Sequence, residues 1–257
     1  CIGVCPVPGA IDLLMKEGIP IPEIHSPCTK CGLCYAVCPG DYVDFDALYK
    51  AVFECPPSTS PIGHVLGVYT GYAADPVLRF RASSGGLATA LLCYALDAGL
   101  IDAAIVAHFK PDDPTRAGPY VAKTREEILS AVGSKYGPVP QAASIAYIMK
   151  NDGRYAILGL PCHLAALRSA ALLMPRLRKR IVYYIGLFCS TMVSDHAIDF
   201  WLSVHGIERS TVTNFSYRGK GWPGKMTVRT ANASFSYDSA EYWEFINRFS
   251  PKRCALC

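Results

Sequence analysis

Apolar and polar residues alternate in blocks through the middle of the chain, and the lengths of the blocks predict its secondary structure. Short apolar runs predict strands, whereas longer runs that open at glycine, proline or a capping residue predict helices. The predicted strands are residues 64–73, 102–109, 155–160 and 181–189, and the predicted helices are 83–99, 124–133, 137–153, 164–173 and 195–206. This alternation favours an α/β domain with a largely parallel sheet.

The regions before and after this α/β pattern differ from it in composition. Residues 1–45 are dense in cysteine and proline, which is typical of a small metal-binding module, and residues 46–62 are interpreted as a linker. From Thr211 onward, glycine and proline turns separate short β-like segments before a final helix at 240–249. The predicted fold class is α/β (α+β), with residues 63–257 as the main domain and a β-rich C-terminal part.

The composition argues against several classes of protein. Of 257 residues, 51% are hydrophobic and 18% charged, so the chain can bury a large core and is not expected to be disordered. The net charge of +4 is too small to indicate nucleic-acid binding. No apolar run reaches the roughly 18 residues of a membrane-spanning helix. Six of the 12 cysteines fall within the first 38 residues, which indicates thiolate metal sites in a reducing, cytoplasmic compartment.

The segment SPCTKCGLCYAVCPG carries the strongest chemical signal. Cys28, Cys31, Cys34 and Cys38, with a proline after the last, have the spacing by which bacterial ferredoxins hold [4Fe-4S] clusters. A structural zinc site, the alternative, usually uses two separated cysteine pairs. The compact run therefore predicts an iron–sulfur cluster.

The opening CIGVCP repeats the end of that run, because Cys1 and Cys5 have the same gap and the same trailing proline. In two-cluster ferredoxins the last cysteine of each run binds the other run's cluster. Cys5 is therefore expected to join the first three cysteines of the longer run. Cys1 and Cys38 would bind a second cluster whose other ligands precede residue 1, so the sequence is interpreted as truncated. The alternative is that Cys1 and Cys5 are incidental thiols.

Four further cysteines could form a third cluster. Cys162 and Cys189 follow predicted strands, where α/β folds build their sites, and Cys254 and Cys257 form a C-x-x-C pair. The alternative for each is a structural or free thiol, since cysteine is often simply buried.

Three glycine-containing loops could bind an anionic ligand. Residues 83–86 open an apolar helix, where backbone N–H groups and the helix dipole suit a phosphate, although a plain helix start has the same pattern. Residues 133–137 and 218–225 combine cations and aromatic rings with flexible glycines, and ordinary turns do so too.

Other polar and thiol residues are assigned simpler roles. The basic stretch 175–180 predicts a solvated turn. Cys55 and Cys93 are expected to be structural thiols. His163 is the histidine nearest to a predicted redox site, with a structural role as its alternative.

Several segments of the main domain together resemble the β-subunit family of coenzyme F420 hydrogenases and dehydrogenases. They are SSGGLATALLCYAL, VGSKYGPVP, ILGLPCHLAALR, IGLFCS, FSYRGKG and RCALC, within residues 60–257. The resemblance implies that the main domain binds FAD beside a [4Fe-4S] cluster and exchanges hydride with F420. Several members of the family carry N-terminal ferredoxin modules, which agrees with the cysteine runs.

The resemblance also implies where the cofactors lie. The implied residues are Ser84, Gly85 and Gly86 near the FAD phosphates, Ser134, Lys135 and Tyr136 near the flavin, and Cys162, Cys189, Cys254 and Cys257 around the adjacent cluster. From their charge alone, we infer that Lys220 and Lys225 could meet the acidic tail of F420.

The predicted function is a flavin- and iron–sulfur-dependent oxidoreductase. It would pass electrons between F420, its substrate, and two ferredoxin-type [4Fe-4S] clusters plus one near the flavin, with FAD as the converter. Its expected partners are ferredoxin-like or other redox subunits within a larger complex or multidomain chain. The alternatives are a ferredoxin-linked reductase of another substrate, a non-catalytic electron-relay subunit and a structural zinc protein.

Overall fold

The N-terminal region begins with an antiparallel hairpin that the sequence did not predict. A computed structural model describes residues 1–256, without side-chain detail at 245, 246 and 256. Strands β1 (Ile11–Lys16) and β2 (Ile19–Ile24) pair through a turn at Glu17 and Gly18, whose φ angles are 51° and 70°. Two positive φ values in succession are typical of the tight turns whose twist matches that of the flanking strands.

The cysteine run contains one short helix, and a second helix covers the first half of the predicted linker. Helix α1 (Leu33–Ala36) lies within the cysteine run, and α2 (Phe45–Phe53) starts the segment that was predicted as a linker. The Asp44 carboxylate accepts a hydrogen bond from the Ala47 N–H at 2.9 Å and so caps α2.

A four-stranded sheet forms the centre of the main domain. Its strands are β3 (Ala103–Phe109), β4 (Ala117–Ala122), β5 (Tyr155–Gly159) and β6 (Ile181–Gly186), in the order β4-β3-β5-β6. The pairs β3–β5 and β5–β6 are parallel, as predicted, whereas β4 adds an antiparallel edge strand that the sequence did not predict.

Helices cover both the sheet and its edges. They are α3 (Pro76–Arg81), α4 (Leu87–Asp97), α5 (Arg125–Ser130), α6 (Ser144–Lys150), α7 (Pro161–Leu173), α8 (Pro175–Arg180), α9 (His196–Val204) and α10 (Ser239–Ile246). A capping box formed by Thr124 and Glu127 begins α5, within the helix predicted at residues 124–133. No helix among the described residues is both long enough and apolar enough to cross a membrane.

The C-terminal part is β-rich, as predicted. Strands β7 (Val212–Ser216), β8 (Lys225–Thr230) and β9 (Ser234–Asp238) form an antiparallel sheet. Its inner face packs with α9 in a second core that contains Trp201, Phe215 and Met226.

Two sequence-based assignments are wrong. Residues 64–73 form no strand, and their apolar side chains face solvent: Leu66 is 90% and Tyr69 92% exposed. Residues 175–180 form α8 rather than a turn, because Pro175 suits the first helical turn and the basic side chains complement its C-terminal end. Leu177 anchors this helix in the core.

The N-terminal region packs directly onto the main domain. Val4 and Val37 belong to the same buried cluster as Ile105, Ile157 and Leu167. Residues 1–45 therefore share a hydrophobic core with the central sheet and do not form a separately tethered module.

A backbone hydrogen bond from Asp195 holds the hairpin on another side, next to an ion-pair network of the same residue. The Asp195 carboxylate accepts hydrogen bonds from Arg116 and, at 3.2 Å, from Arg209. The Asp195 N–H donates to the Gly18 carbonyl at 2.7 Å. The tip of the hairpin is thereby held against the start of α9.

Candidate functional site

A cavity of about 610 Å³ opens at the carboxyl ends of β5 and β6, beside the first turn of α4. Its volume lies within the range of small-molecule and cofactor sites, and open parallel sheets characteristically bind ligands at this edge. It is lined by residues from segments as distant in sequence as Gly71 and Trp243.

The cavity brings together six of the eight residues predicted to contact cofactors. They are Ser84, Gly85, Gly86, Ser134, Lys135 and Tyr136. Lys220 and Lys225 are not among the described residues that line it, whereas Arg218, from the same loop, is.

The SSGG loop at the start of α4 is held by close backbone contacts. The Gly85 carbonyl accepts a hydrogen bond from the Ala73 N–H at 2.7 Å. Gly86 has φ +76°, and a Cβ there would lie 3.3 Å from the Ala73 Cβ. Glycine is therefore required by both conformation and space. The loop leaves the first N–H groups of α4 facing a cavity, an arrangement that suits an anion.

Ser83 and Ser134 join the two loops of this polar end. The Ser134 N–H donates to the Ser83 Oγ at 2.8 Å, and the two hydroxyl oxygens are also 2.8 Å apart. The Ser83 side chain therefore sets the spacing between the SSGG loop and the Ser134 loop.

Lys135 is a partly buried cation with its donors already engaged. Its Nζ donates to the carbonyls of Ala131, Val132 (3.3 Å) and Gly133 (3.0 Å) at the end of α5. An ammonium group has three N–H donors, so Lys135 shapes the loop and would act on a ligand through its charge alone. Burial lowers the pKa of Lys135 to about 8.

Aromatic rings form one wall of the cavity. Tyr136 and Trp243 both line it, with ring centroids 4.7 Å apart in an edge-to-face arrangement. Behind them, Tyr217 contacts Tyr136 at 5.1 Å, and burial strongly raises the pKa of Tyr217. Such a wall suits a flat, conjugated ring system.

His163 lies in a further part of the lining, which is built by the segments that follow β5 and β6. Its Nδ1 accepts a hydrogen bond from the Leu160 N–H at 3.4 Å, so it contributes to the start of α7. Burial lowers the pKa of His163 to about 4, which keeps the ring neutral.

The ferredoxin-like run adopts a loop with two left-handed positions. Lys30 has φ 56° and Gly32 has φ 76°, and the Lys30 N–H points to the Cys28 Sγ at 3.4 Å. Cys34 packs against the core cluster that contains Val4. The run is therefore anchored to the main domain through its third cysteine.

The first cysteines of the chain lie beside the end of this run. The thiols of Cys38, Cys34 and Cys5 lie near enough to the Cys1 backbone nitrogen to interact with it electrostatically. Even so, no three His, Cys, Asp or Glu side chains within residues 1–256 are grouped closely enough to hold a metal ion. The ferredoxin-type ligand sets thus remain predictions from spacing.

The cysteines of the predicted third cluster occupy different places. Cys162 and Cys189 are exposed at the ends of neighbouring parallel strands, and Cys189 lines the cavity. Cys254 lies in a 3₁₀ turn, while Cys257 lies outside the described residues. Cys93 is buried in the core, where burial raises the pKa of its thiol.

Sequence reasoning missed Arg218 and Trp243 as cavity residues. Arg218 lies on a loop that was singled out, but only its lysines were assigned to a ligand. Trp243 lies in a helix whose packing depends on the third sheet. Only the tertiary fold brings that helix to the cavity, so no local signal could have found it.

Comparison with known proteins identifies the family. Residues 68–146 match the N-terminal domain of the coenzyme F420 hydrogenase/dehydrogenase beta subunit, and residues 152–257 match its C-terminal domain. The chain belongs to this beta-subunit family. The family predicted from the sequence is thereby confirmed.

Individual relatives cover different shares of the chain. The coenzyme F420 hydrogenase subunit beta of Methanosarcina barkeri is 31% identical over 175 residues, which are 63% of this chain and 57% of the relative. The coenzyme F420-dependent sulfite reductase of Methanocaldococcus jannaschii is 26% identical over 251 residues, which are 84% of this chain and 38% of the relative. The chain thus spans about half, or less, of the length of these curated relatives.

A solved structure shares the fold. A chain in the F420-reducing [NiFe] hydrogenase complex of Methanosarcina barkeri superimposes with a TM-score of 0.55 at 28% identity. The superposition covers 75% of this chain and 67% of that chain. The mixed α/β architecture is therefore shared with a component of an F420-reducing enzyme.

Proposed function

We propose that this protein is a flavin- and iron–sulfur-dependent oxidoreductase that exchanges electrons with coenzyme F420. The observation that carries the proposal is the single cavity that gathers the SSGG loop, the Ser134 loop and an aromatic wall at the sheet edge. Relatives named for F420-linked hydrogenase and sulfite reductase activity support the choice of F420.

The cavity fits FAD in its chemistry. Backbone N–H groups at the start of α4 and the Ser83–Ser134 pair suit the pyrophosphate. The wall formed by Tyr136 and Trp243 suits the isoalloxazine ring. When bound, FAD can accept a hydride and release its two electrons one at a time, which converts between F420 and one-electron carriers.

Basic side chains of the chain would position the cofactors and stabilise their negative charges. Lys135 holds the Ser134 loop in place and adds an unpaired positive charge behind it. Arg218 offers a second cation at the cavity, with its Nε already donating to the Pro223 carbonyl at 2.9 Å. Lys220 and Lys225 remain proposed contacts for the acidic tail of F420, outside the cavity itself.

The proposed iron–sulfur clusters are inferred from the spacing of the cysteines. Two ferredoxin-type ligand sets are proposed within Cys1–Cys38, and a third set from Cys162, Cys189, Cys254 and Cys257. Such clusters would supply one-electron transfer. A redox subunit or a ferredoxin-like protein in a larger assembly is the proposed electron partner, and the cytoplasm the proposed location.

The direct test uses anaerobically purified protein. FAD content, iron and acid-labile sulfide are measured first, and reduced F420 is then titrated while the flavin absorbance near 450 nm is followed. We expect the flavin to bleach with one equivalent of reduced F420, whereas NADH, the control donor, leaves it oxidised. A protein that binds FAD but ignores reduced F420 would refute the F420 assignment.

A second candidate is a ferredoxin-linked reductase of another substrate. The observation that favours it is the ferredoxin-type cysteine spacing of residues 28–38, which suits exchange with a one-electron carrier. In that case reduced ferredoxin, but not F420, would bleach the flavin. A protein that binds no flavin at all would instead indicate an electron-relay subunit.

A further inference from the structure

His163 lines the cavity, and the start of its own helix fixes the tautomer of its imidazole ring. The Leu160 N–H donates to the His163 Nδ1 at 3.4 Å, so Nδ1 is an acceptor and carries no proton. A neutral imidazole with an acceptor at Nδ1 carries its proton at Nε2. The start of α7 therefore selects one tautomer.

The backbone around His163 leaves room for this ring position. A Cβ on Gly159 would lie 3.2 Å from the His163 Cβ and 3.2 Å from the Leu164 Cδ2. Gly159 is the last residue of β5 and pairs with Gly186 on β6. The two glycines let the start of α7 sit close against the strand ends.

The segments that follow β5 and β6 contribute both apolar and polar residues to the lining that includes His163. Leu160, Leu187, Phe188 and Met192 are apolar, whereas Ser190 and Thr191 carry hydroxyl groups. The glycine-rich loops at residues 83–86 and around Ser134 are separate segments of the lining. An imidazole N–H beside apolar side chains suits a flat ring that carries hydrogen-bond acceptors on its edge.

We propose that His163 is a cofactor-positioning residue whose Nε2–H donates a hydrogen bond to an acceptor atom on the flavin ring. This inference rests on the proposed function, because it takes the cavity ligand to be a flavin. It assigns to His163 a role in ring binding, separate from the phosphate contacts of the SSGG loop. The hydrogen bond from Leu160 occupies Nδ1, so Nε2 is the ring nitrogen that can donate to a ligand.

The test compares FAD with riboflavin, which has the same ring but no phosphates. Dissociation constants and absorption spectra are measured for the wild type, His163→Leu and His163→Gln. The leucine removes both hydrogen bonds, whereas the glutamine amide can accept from Leu160 and donate to the ring. His108→Leu, at a half-buried histidine on β3 outside the cavity, is the matched control.

We expect His163→Leu to weaken the binding of both FAD and riboflavin by roughly 3- to 10-fold and to shift the flavin spectrum. His163→Gln and His108→Leu should stay close to the wild type. Unchanged affinities and spectra in His163→Leu would overturn the inference. So would a loss confined to FAD, because it would place the contact at the phosphates or the adenosine.

Two further outcomes of the experiment can be distinguished from these. If His163→Leu does not fold, His163→Glu replaces it, because a carboxylate still caps α7 but has no donor for the ring. It should weaken riboflavin binding at least as much as the leucine, and unchanged riboflavin binding in it would also overturn the inference. A wild-type protein that binds neither flavin refutes the proposed function itself, whereas normal wild-type binding with no effect of His163 refutes only this inference.

Discussion

Gly3 lies directly against the main-chain carbonyl of Ala142, at the point where the N-terminal segment meets the turn before α6. A Cβ on Gly3 would lie only 2.0 Å from that oxygen and 3.0 Å from the Ile145 Cβ. Gly3 itself is buried. This contact places the first cysteine motif against the domain that carries the cavity.

Substituting Gly3 with alanine should displace the N-terminal segment. The neighbouring atom is a backbone oxygen that cannot rotate away, so we expect a loss of roughly 1–3 kcal/mol in the free energy of unfolding. Urea unfolding measures the loss, and hydrogen exchange at the Val4 amide locates it. Gly118→Ala is the control, because its Cβ would meet only the Lys110 Cε at 3.8 Å. Equal unfolding midpoints for the two variants would contradict the prediction.

Replacing Ser83 with alanine should loosen the polar end of the cavity. The Ser134 N–H would lose its acceptor, at a cost of roughly 1–3 kcal/mol of folding free energy. FAD affinity should fall with it, since two loops lose their common spacing. Ser130→Ala removes a hydroxyl that donates to the Glu127 carbonyl on the exposed side of α5 and serves as the control. The idea fails if FAD affinity falls equally in both variants.

The buried ammonium of Lys135 should make stability depend on pH. Its pKa is about 8 in the folded protein, against an ordinary value of 10.5. Between these values the unfolded chain binds more protons, so the free energy of unfolding gains an upward contribution as pH rises. Lys135→Met should lack that rise, whereas Lys50→Met, on the exposed side of α2, should retain it.

The measurement is urea unfolding at pH 7.5 and pH 9.5. The difference in stability between the wild type and Lys135→Met should be larger at pH 9.5. A difference that does not change with pH would show that Lys135 keeps its usual proton affinity on folding.

Asp195→Asn should be destabilising. The carboxylate is buried with a side-chain exposure of 6% and faces both Arg116 and Arg209, although the two arginines also contact Asp113 and Asp199. Because these partners remain and Arg116 is 41% exposed, we expect a loss of roughly 1–3 kcal/mol. Asp238→Asn, at the exposed end of β9, is the control in thermal unfolding. Similar melting temperatures would mean that the network contributes little.

Arg218 should matter more for F420 than the lysines on its loop. It lines the cavity, whereas Lys225 does not, so Arg218→Gln should raise the KM for reduced F420 several-fold, with a weaker dependence on salt. Lys225→Gln provides the matched comparison in the same steady-state assay. A larger effect at Lys225 would restore the original charge-based assignment.

Local sequence signals predicted the central elements well. Strands β3, β5 and β6 and helices α4 and α7 lie where apolar periodicity and capping residues place them. The SSGG loop and the Ser134 loop were found as separate glycine-rich turns. Their convergence at one cavity depends on the order of strands in the sheet, which no local pattern specifies.

Two of the errors concern strands, and both depend on strand pairing. Residues 64–73 are apolar and β-branched enough for a strand, but no neighbouring strand pairs with them. The hairpin of β1 and β2 was missed because its proline-rich pattern, with Pro20 and Pro22 in the second strand, argues against a strand unless it is an edge. In both cases the presence or absence of a pairing partner, rather than local strand propensity, decided the outcome.

The packing of Val4 and Val37 implies that the N-terminal segment and the α/β domain evolve together. Both side chains lie in one core with Ile105 and Ile157. Gene fusion can exchange modules freely when they are joined only by a flexible linker. Here, a transplanted cysteine-rich segment would have to bring matching core residues and a glycine opposite Ala142. The two parts are therefore expected to be inherited together and to change by compensating substitutions.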